Sequence, residues 1–175
     1  QAAIAVARAG LIYGSERAID LVRKHIGSAC AVRIIDDYKK LHQLPEDAVV
    51  LSTGDPMLSG LGYLKGEVIP GISSLQVACA RLKISELLVV PITVHGRRLD
   101  SAAIAFELQR GKTVFLLTDE ETDLKSLCSY LESHGLHRKI ALLSSLGYEQ
   151  ERIELSDTLS PPILSELSCL LIGDL

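Results

Sequence analysis

The sequence has little aromatic character: it contains no tryptophan and two phenylalanines, and aromatic residues make up 4% of its 175 positions. Hydrophobic residues nevertheless account for 47%, so the core must be aliphatic. Cores of this kind suit parallel sheets that helices cover on both faces. Charged residues account for 23%, a balance that is ordinary for a globular protein and excludes a disordered chain.

Long apolar runs and clusters of basic residues are also missing. Charged residues or prolines interrupt every hydrophobic stretch well before the ~20 residues that a membrane helix needs, so we expect no membrane partner. The net charge of −4, without any cluster of Lys and Arg, argues against nucleic acid as a partner. The sequence has no G-x-G-x-x-G, Walker A or G-x-S-x-G motif either.

Patterns typical of disulfides and of metal sites are absent as well. The four cysteines, Cys30, Cys79, Cys128 and Cys169, lie far apart in apolar stretches and form no C-x-x-C pair. This pattern is typical of buried thiols in a reducing, cytoplasmic compartment. None of the five histidines has the spacing of a metal-binding motif, so we expect no metal site.

Strand-like and helix-like segments alternate along the chain, which predicts an α/β fold with crossover connections. The predicted strands are residues 11–14, 31–35, 48–52, 68–69, 87–94, 113–117, 140–143, 152–155 and 168–172. Helices are predicted at 2–9, 15–26, from a capping box of Ser73 and Gln76, at 101–109, and from a capping box of Thr118 and Glu121. Pro91 predicts an edge strand or a crossing between lobes, because proline cannot donate to a strand ladder. We therefore expect two α/β lobes, residues 1–90 and 91–175.

The turn Gly54-Asp55-Pro56 directly follows a predicted buried strand. Open α/β sheets bind ligands beyond the carboxyl ends of their strands. Gly54 would let a ligand approach the backbone, and Asp55 would accept hydrogen bonds from a ribose or an amino group. The alternative is that Asp55 only caps a helix that begins with Pro56.

Two further segments carry candidate binding residues. Ser73 and Ser74 place hydroxyls at a predicted helix start, a polar rim that also has a purely structural explanation. His95 and Arg97 lie at the junction between the two predicted lobes. Guanidinium groups bind carboxylates bidentately, so this segment would suit a polycarboxylate ligand, although solvated turn residues are the alternative.

Six segments together resemble the tetrapyrrole (precorrin) methyltransferases, and within them the branch that methylates carbon C5 of a cobalt-precorrin in cobalamin biosynthesis. The segments are residues 13–17 (Tyr-Gly-Ser-Glu-Arg), 54–56 (Gly-Asp-Pro), 70–74 (Pro-Gly-Ile-Ser-Ser), 94–97 (Val-His-Gly-Arg), 116–119 (Leu-Leu-Thr-Asp) and 146–149 (Leu-Gly-Tyr-Glu). Each is common alone, but six in this order are specific.

The resemblance implies a two-lobed fold, each lobe a sheet flanked by helices, with S-adenosylmethionine bound between the lobes and no metal. It also implies a homodimer, and a tetrapyrrole whose carboxylates meet His95 and Arg97. It indicates no residue as the catalytic base. The implied cofactor contacts are Gly54, Asp55, Met57, Leu58, Ser73, Ser74, Leu117, Thr118, Leu146 and Gly147.

The chain departs from the family at its beginning. The family starts with a strand and a Gly-Pro-Gly turn ahead of the first helix predicted here, and we expect both to be missing from this chain. Some relatives carry a second domain that methylates C15, and since the chain ends at Leu175 only the C5 step is expected. Alternatives are another precorrin position, the diphthamide-pathway methyltransferase, a non-catalytic nucleotide-binding module, or a receiver-like domain that uses Asp36 and Asp37.

Overall fold

The structure is a computed structural model that describes residues 1–94, 98–119, 121–165 and 167–175. The chain forms two compact units, Gln1–Ser73 and Ser74–Leu175. This division lies earlier in the chain than the boundary predicted between residues 90 and 91. The reason is that the helix following Ser73 belongs with the second unit, where Arg81 forms an ion pair with Glu151.

The first unit contains a three-stranded parallel sheet in the order β2-β1-β3. Its strands are β1 (Leu11–Gly14), β2 (Ala31–Ile34) and β3 (Val49–Val50), and its helices are α1 (Ala2–Arg8), α2 (Glu16–Val22) and α3 (Pro56–Ser59). Two 3-10 segments, Arg23–His25 and Tyr38–Gln43, complete the regular structure described for this unit. Ser15 caps α2 as predicted, because its Oγ accepts a hydrogen bond from the N–H of Ala18 at 3.2 Å.

The strand predicted at residues 68–69 was wrong. The described backbone of this segment has no strand pairing. Pro70 follows directly and lacks an N–H donor, so it cannot continue a ladder beyond two apolar residues. Strand β3 is also shorter than the predicted span 48–52, although the N–H of Leu51 still donates to the carbonyl of Tyr13 at 2.7 Å.

The second unit contains a five-stranded mixed sheet in the order β4-β5-β8-β6-β7. The strands are β4 (Val89–Thr93), β5 (Thr113–Leu117), β6 (Lys139–Ser144), β7 (Arg152–Asp157) and β8 (Ser168–Gly173), with helices α4 (Ser74–Leu82), α5 (Ser101–Gln109) and α6 (Leu124–Ser133) and a 3-10 turn at Glu86–Leu88. Strands β4 and β5 are parallel, whereas β8 runs antiparallel to β5 and β6. Pro91 lies in β4 at the sheet edge, which confirms the edge-strand prediction.

The core of the second unit is aliphatic, as the composition predicted. Side chains of the central strands pack against one face each of α5 and α6. Fully buried members of this cluster include Leu116, Leu170 and Ile172 from the sheet and Leu108 and Leu131 from the helices. Burial of each such side chain stabilises the fold by about 1.5–3 kcal/mol. The α/β class, with both sheets flanked by helices, is therefore confirmed.

Helix α6 does not begin at Thr118 as predicted. Its cap is Asp123, whose Oδ1 accepts a hydrogen bond from the N–H of Ser126 at 3.0 Å. Thr118 is buried instead, and its hydroxyl donates to the carbonyl of Ser168 at 2.8 Å. A Ser/Thr-x-x-Glu pattern predicts a helix start only where the first side chain is available for capping, and here the adjacent strand uses it.

All four cysteines are free, and three of them, Cys79, Cys128 and Cys169, are buried. Burial raises the pKa of the Cys128 thiol to about 11 and that of Cys169 to about 12. Cys30 is half-buried. Within the described ranges, no helix has the length and hydropathy required to cross a bilayer.

Candidate functional site

The Gly54-Asp55 turn connects β3 to the short helix α3. Asp55 is the N-cap of that helix: its Oδ1 accepts hydrogen bonds from the N–H of Met57 at 2.8 Å and of Leu58 at 3.2 Å, and Pro56 occupies the first helical turn. The structural interpretation of Asp55 as a helix cap is therefore confirmed. Gly54 has φ +85°, a left-handed conformation that glycine adopts without a steric penalty.

The second oxygen of Asp55 reaches the turn that precedes α4. Its Oδ2 accepts a hydrogen bond from the N–H of Gly71 at 3.1 Å. The two backbones also touch, because a Cβ placed on Gly71 would lie 2.5 Å from the carbonyl oxygen of Gly54. The turn at residues 54–58 and the segment 70–73, which ends with the first of the two serines predicted as cofactor contacts, therefore meet within the first unit.

The two turns carry exposed apolar side chains, and the guanidinium of Arg17 lies beside them. Met57 is 64% exposed and Ile72 is 75% exposed, while Ser73 is buried. The guanidinium of Arg17 donates to the hydroxyl of Thr53 at 3.1 Å, which joins the first sequence motif to the residue before Gly54. Arg17 was not among the predicted site residues, although the motif that carries it was noted.

Two of the predicted contact segments of the second unit, residues 117–118 and 145–147, lie at the same end of the inner strands of its sheet. Leu117, at the end of β5, lies opposite Cys169, and the hydroxyl of Thr118 donates to the carbonyl of Ser168. On the other side of β8, the N–H of Ser145 donates to the carbonyl of Leu167 at 3.1 Å. The segments 117–118 and 145–147 therefore flank the first residue of β8.

The segment after β6 forms a tight turn. Ser145 has φ 51° and Gly147 has φ +81°, and the N–H of Tyr148 donates to the carbonyl of Ser145 at 3.0 Å. A Cβ on Gly147 would meet no heavy atom within 4 Å, so this backbone has an open face. Its N–H donates to Oε2 of Glu151 at 2.9 Å.

Glu151 was missed from the sequence. Its carboxylate pairs with Arg81 of α4, and the hydrogen bonds from Arg81 and from the N–H of Gly147 lower its pKa. The same contact raises the pKa of Arg81. No motif pointed to either residue, because they lie 70 positions apart in the chain.

Two predicted substrate residues, His95 and Arg97, lie outside the described residues. Val94, which precedes them, donates its N–H to the carbonyl of Leu117 at 3.1 Å and so lies beside the end of β5. Across the four described ranges, no group of His, Cys, Asp and Glu has an arrangement that could hold a metal ion.

Asp37 caps the 3-10 segment Tyr38–Gln43 by accepting a hydrogen bond from the N–H of Lys39 at 2.9 Å, and this bond lowers its pKa. It also pairs with Lys40 at 3.3 Å. These local contacts explain Asp37 as a turn residue and give no support to a receiver-like domain.

Comparison with known proteins identifies the family. The family model described as "Tetrapyrrole (Corrin/Porphyrin) Methylases" matches residues 1–160. The chain belongs to the tetrapyrrole methylase family. The resemblance drawn from the six sequence segments is therefore confirmed.

Relatives of this tetrapyrrole methylase carry a specific activity in their names. This chain is 32% identical over 167 residues to the "Probable cobalt-precorrin-7 C(5)-methyltransferase" of Methanocaldococcus jannaschii, and the match covers 86% of this chain and 78% of that protein. It is 30% identical over 115 residues to the cobalt-precorrin-7 C(5)-methyltransferase of Salmonella typhimurium, covering 60% of this chain and 55% of that protein.

Solved structures give the same fold. The precorrin-6Y methylase of Archaeoglobus fulgidus superposes with a TM-score of 0.74 at 28% identity, covering 98% of this chain and 88% of that one. The uroporphyrin-III C-methyltransferase of Thermus thermophilus, solved in complex with S-adenosylhomocysteine, has a TM-score of 0.72 at 17% identity, covering 98% and 89%. The second likeness concerns the fold alone.

Proposed function

We propose that this chain is an S-adenosylmethionine-dependent methyltransferase that acts at carbon C5 of cobalt-precorrin-7 in cobalamin biosynthesis. The observation that carries the proposal is the 32% identity to the archaeal C5-methyltransferase over 86% of this chain. The structural likeness to the Archaeoglobus methylase at 28% identity supports the same activity.

The described residues fit a sulfonium nucleoside. Such a donor has a flat adenine ring and a short aliphatic chain on its sulfonium sulfur, with polar groups on the ribose and at the amino-acid end. Ligand sites combine apolar walls with a small number of placed polar groups. Exposed Met57 and Ile72 supply apolar surface in the first unit, next to the backbone of Gly54. In the second unit, the open backbone face at Gly147 supplies a side-chain-free surface.

We propose donor contacts for the residues that the resemblance indicated. In the first unit these are Gly54, Asp55, Met57, Leu58 and Ser73, and in the second Ser74, Leu117, Thr118, Leu146 and Gly147. For Asp55 and Thr118 we propose contact through the backbone, since both side chains already hydrogen-bond within their own units.

The proposed reaction requires the protein mainly to align the methyl donor with the acceptor carbon. When bound, S-adenosylmethionine supplies both the methyl group and the leaving group, because its sulfonium sulfur keeps the electron pair of the broken S–CH3 bond and departs as the neutral thioether S-adenosylhomocysteine. The protein's residues then have to hold donor and acceptor in line and exclude water, which removes much of the entropic cost of bringing two reactants together. The rigid Asp55–Gly71 contact suits this role, because it fixes two turns at once.

For the acceptor, His95 and Arg97 stay the sequence-based candidates that bind tetrapyrrole carboxylates. A homodimer in the cytoplasm is part of the same proposal: the family resemblance implies the dimer, and free cysteines are typical of a reducing compartment. Analytical ultracentrifugation of the purified protein tests the dimer.

The activity is tested with purified protein, donor labelled with ¹³C in its methyl group, and cobalt-precorrin-7. We expect one labelled methyl per product, at C5 by NMR, and no incorporation without protein. Precorrins that lack a methyl group at another ring position, and the acceptor of the diphthamide pathway, are tested separately as alternative acceptors. Label found only in one of these, or binding of S-adenosylhomocysteine without transfer to any acceptor, would overturn the C5 assignment.

A further inference from the structure

One carboxylate joins two separate segments of the second unit. Glu151, in the loop between β6 and β7, accepts hydrogen bonds from Nε and, at 3.3 Å, from Nη2 of Arg81. Its Oε2 also accepts the N–H of Gly147 at 2.9 Å. Arg81 lies in the last turn of α4, and Ser74 is the first residue of that helix. Glu151 therefore connects the helix that carries one proposed donor contact to the turn that carries another.

The turn needs such a connection because its backbone is strained. Ser145, with φ 51°, occupies the left-handed region, which costs roughly 1–2 kcal/mol for a residue with a Cβ. Conformations of this kind persist only where the surroundings hold them. The N–H of Ser145 is held by the carbonyl of Leu167, and the N–H of Gly147 by the Glu151 carboxylate.

The environment of Glu151 makes it an effective anchor. Its side chain is 19% exposed while that of Arg81 is 50% exposed, so the carboxylate is the more enclosed partner. The hydrogen bonds from Arg81 and Gly147 lower its pKa, and the group stays ionised at neutral pH. Hydrogen bonds to a charged acceptor are roughly twice as strong as neutral ones.

We propose that Glu151 is a positioning residue for the methyl donor: it fixes the Ser145–Gly147 turn relative to α4, and Arg81 orients its carboxylate for that task. The inference rests on the proposed function, since it assumes that Gly147 and Ser74 contact the donor. It assigns no chemical step to Glu151.

The experiment measures S-adenosylhomocysteine affinity by calorimetry, and KM for the donor and for the tetrapyrrole, in Glu151→Gln and Glu151→Ala. We expect Glu151→Ala to raise the donor KM and the S-adenosylhomocysteine Kd about tenfold, the size of one lost charged hydrogen bond. The tetrapyrrole KM and the kcat at saturating donor should change little. Glu151→Gln, which keeps one acceptor oxygen, should give a smaller loss of the same kind.

A matched control is available in α5. Glu107 and Arg110 form an ion pair at 3.5 Å with side-chain exposures of 21% and 58%, close to those of Glu151 and Arg81. Glu107→Ala should leave the donor Kd unchanged. The doubly substituted Arg81→Glu, Glu151→Arg protein provides a second test, because it can restore the ion pair but has no carboxylate at residue 151 to hold Gly147.

The outcomes separate the inference from the proposed function. Recovery of thermal stability in the double variant without recovery of donor affinity supports positioning. An unchanged donor Kd in Glu151→Ala, with only a lower Tm, overturns the inference and leaves the proposed function intact. If the parent protein itself fails to bind S-adenosylhomocysteine, the proposed function fails and this inference fails with it. Should Glu151→Ala not fold, the comparison uses Glu151→Gln and the double variant.

Discussion

The carboxylate of Asp55 accepts a hydrogen bond from the backbone N–H of Gly71 at 3.1 Å, across 16 positions of the chain. Two segments that are separate motifs in the sequence are therefore a single structural unit. The same carboxylate caps helix α3, so one side chain sets both the start of that helix and the position of the turn before α4. We therefore expect a change at Asp55 or Gly71 to alter the position of both turns.

Gly71→Ala is expected to damage this unit. The added Cβ would lie 2.5 Å from the carbonyl oxygen of Gly54 and 3.0 Å from its carbonyl carbon, so the two turns must separate. Forced shifts of this kind cost about 1–3 kcal/mol. We expect a lower free energy of unfolding in denaturant titrations and weaker S-adenosylhomocysteine binding by calorimetry.

Gly10→Ala is the matched control for that variant. Gly10 lies in the same unit, and a Cβ there would meet no heavy atom within 4 Å. It should retain the parent's stability and affinity. Equal behaviour of the two alanine variants would contradict the close packing of the two turns.

Asp55 offers a way to separate its two contacts. Asp55→Ser keeps one oxygen for capping α3 but has none for Gly71, whereas Asp55→Ala loses both. Loss of a cap costs about 0.5–2 kcal/mol. We expect Asp55→Ser to retain most of the stability and to lose donor affinity, measured by denaturant titration and calorimetry respectively. Identical donor affinity in Asp55→Ser and the parent would show that the Gly71 contact does not shape the ligand surface.

Much of the second unit could be predicted from local pattern. Helix α5 and strand β5 begin and end at the predicted residues, because each is a continuous segment bounded by clear start and stop signals. The capping box at Thr118 failed for a physical reason. Its hydroxyl donates a hydrogen bond to the carbonyl of Ser168, 50 positions along the chain, and a local pattern cannot anticipate a partner in a distant strand.

In the candidate site too, local features could be predicted from the sequence and long-range contacts could not. Gly54 and Gly147 could be found because each ends a recognisable local segment. The contacts that hold their turns, from Gly71 and Glu151, could not, because they join positions far apart in sequence and involve residues of common types. These contacts can be recognised only in the folded structure, because no local sequence spacing marks them.

Thr118 is a proposed donor contact whose hydroxyl also joins the end of β5 to the first residue of β8, so its substitution should change stability. Thr118→Val replaces the hydroxyl with a methyl group of similar shape and removes the hydrogen bond to the Ser168 carbonyl, in a place where Thr118 and Ser168 are each 8% exposed. Loss of such a buried bond costs about 1–3 kcal/mol. We expect a corresponding fall in the unfolding free energy, and Thr118→Ser, which retains the hydroxyl, should lose much less. Similar stability of the valine and serine variants would mean that this hydrogen bond contributes nothing measurable.

Glu132 is expected to make the second unit sensitive to acid. Its carboxylate accepts hydrogen bonds from the buried hydroxyl of Thr158 and, at 3.0 Å, from Nδ1 of His137, and these contacts lower its pKa below the usual value of a glutamate. A carboxylate with a depressed pKa in the folded state stabilises that state above its unfolded pKa and loses this contribution as the pH falls through the folded value.

Glu132→Gln retains an acceptor but cannot ionise. The advantage of the parent over the variant in unfolding free energy should therefore be present above about pH 5.5 and shrink toward zero below pH ~4, since an unperturbed glutamate titrates near pH 4.3. Denaturant titrations of both proteins across this range measure the difference, in which acid effects at other carboxylates cancel. Thr158→Val removes the hydroxyl whose hydrogen bond contributes most to the lowered pKa of Glu132, so in that background the pH dependence of the difference should become weaker. A difference that does not change with pH, or one that grows as the pH falls, would contradict the lowered pKa of Glu132.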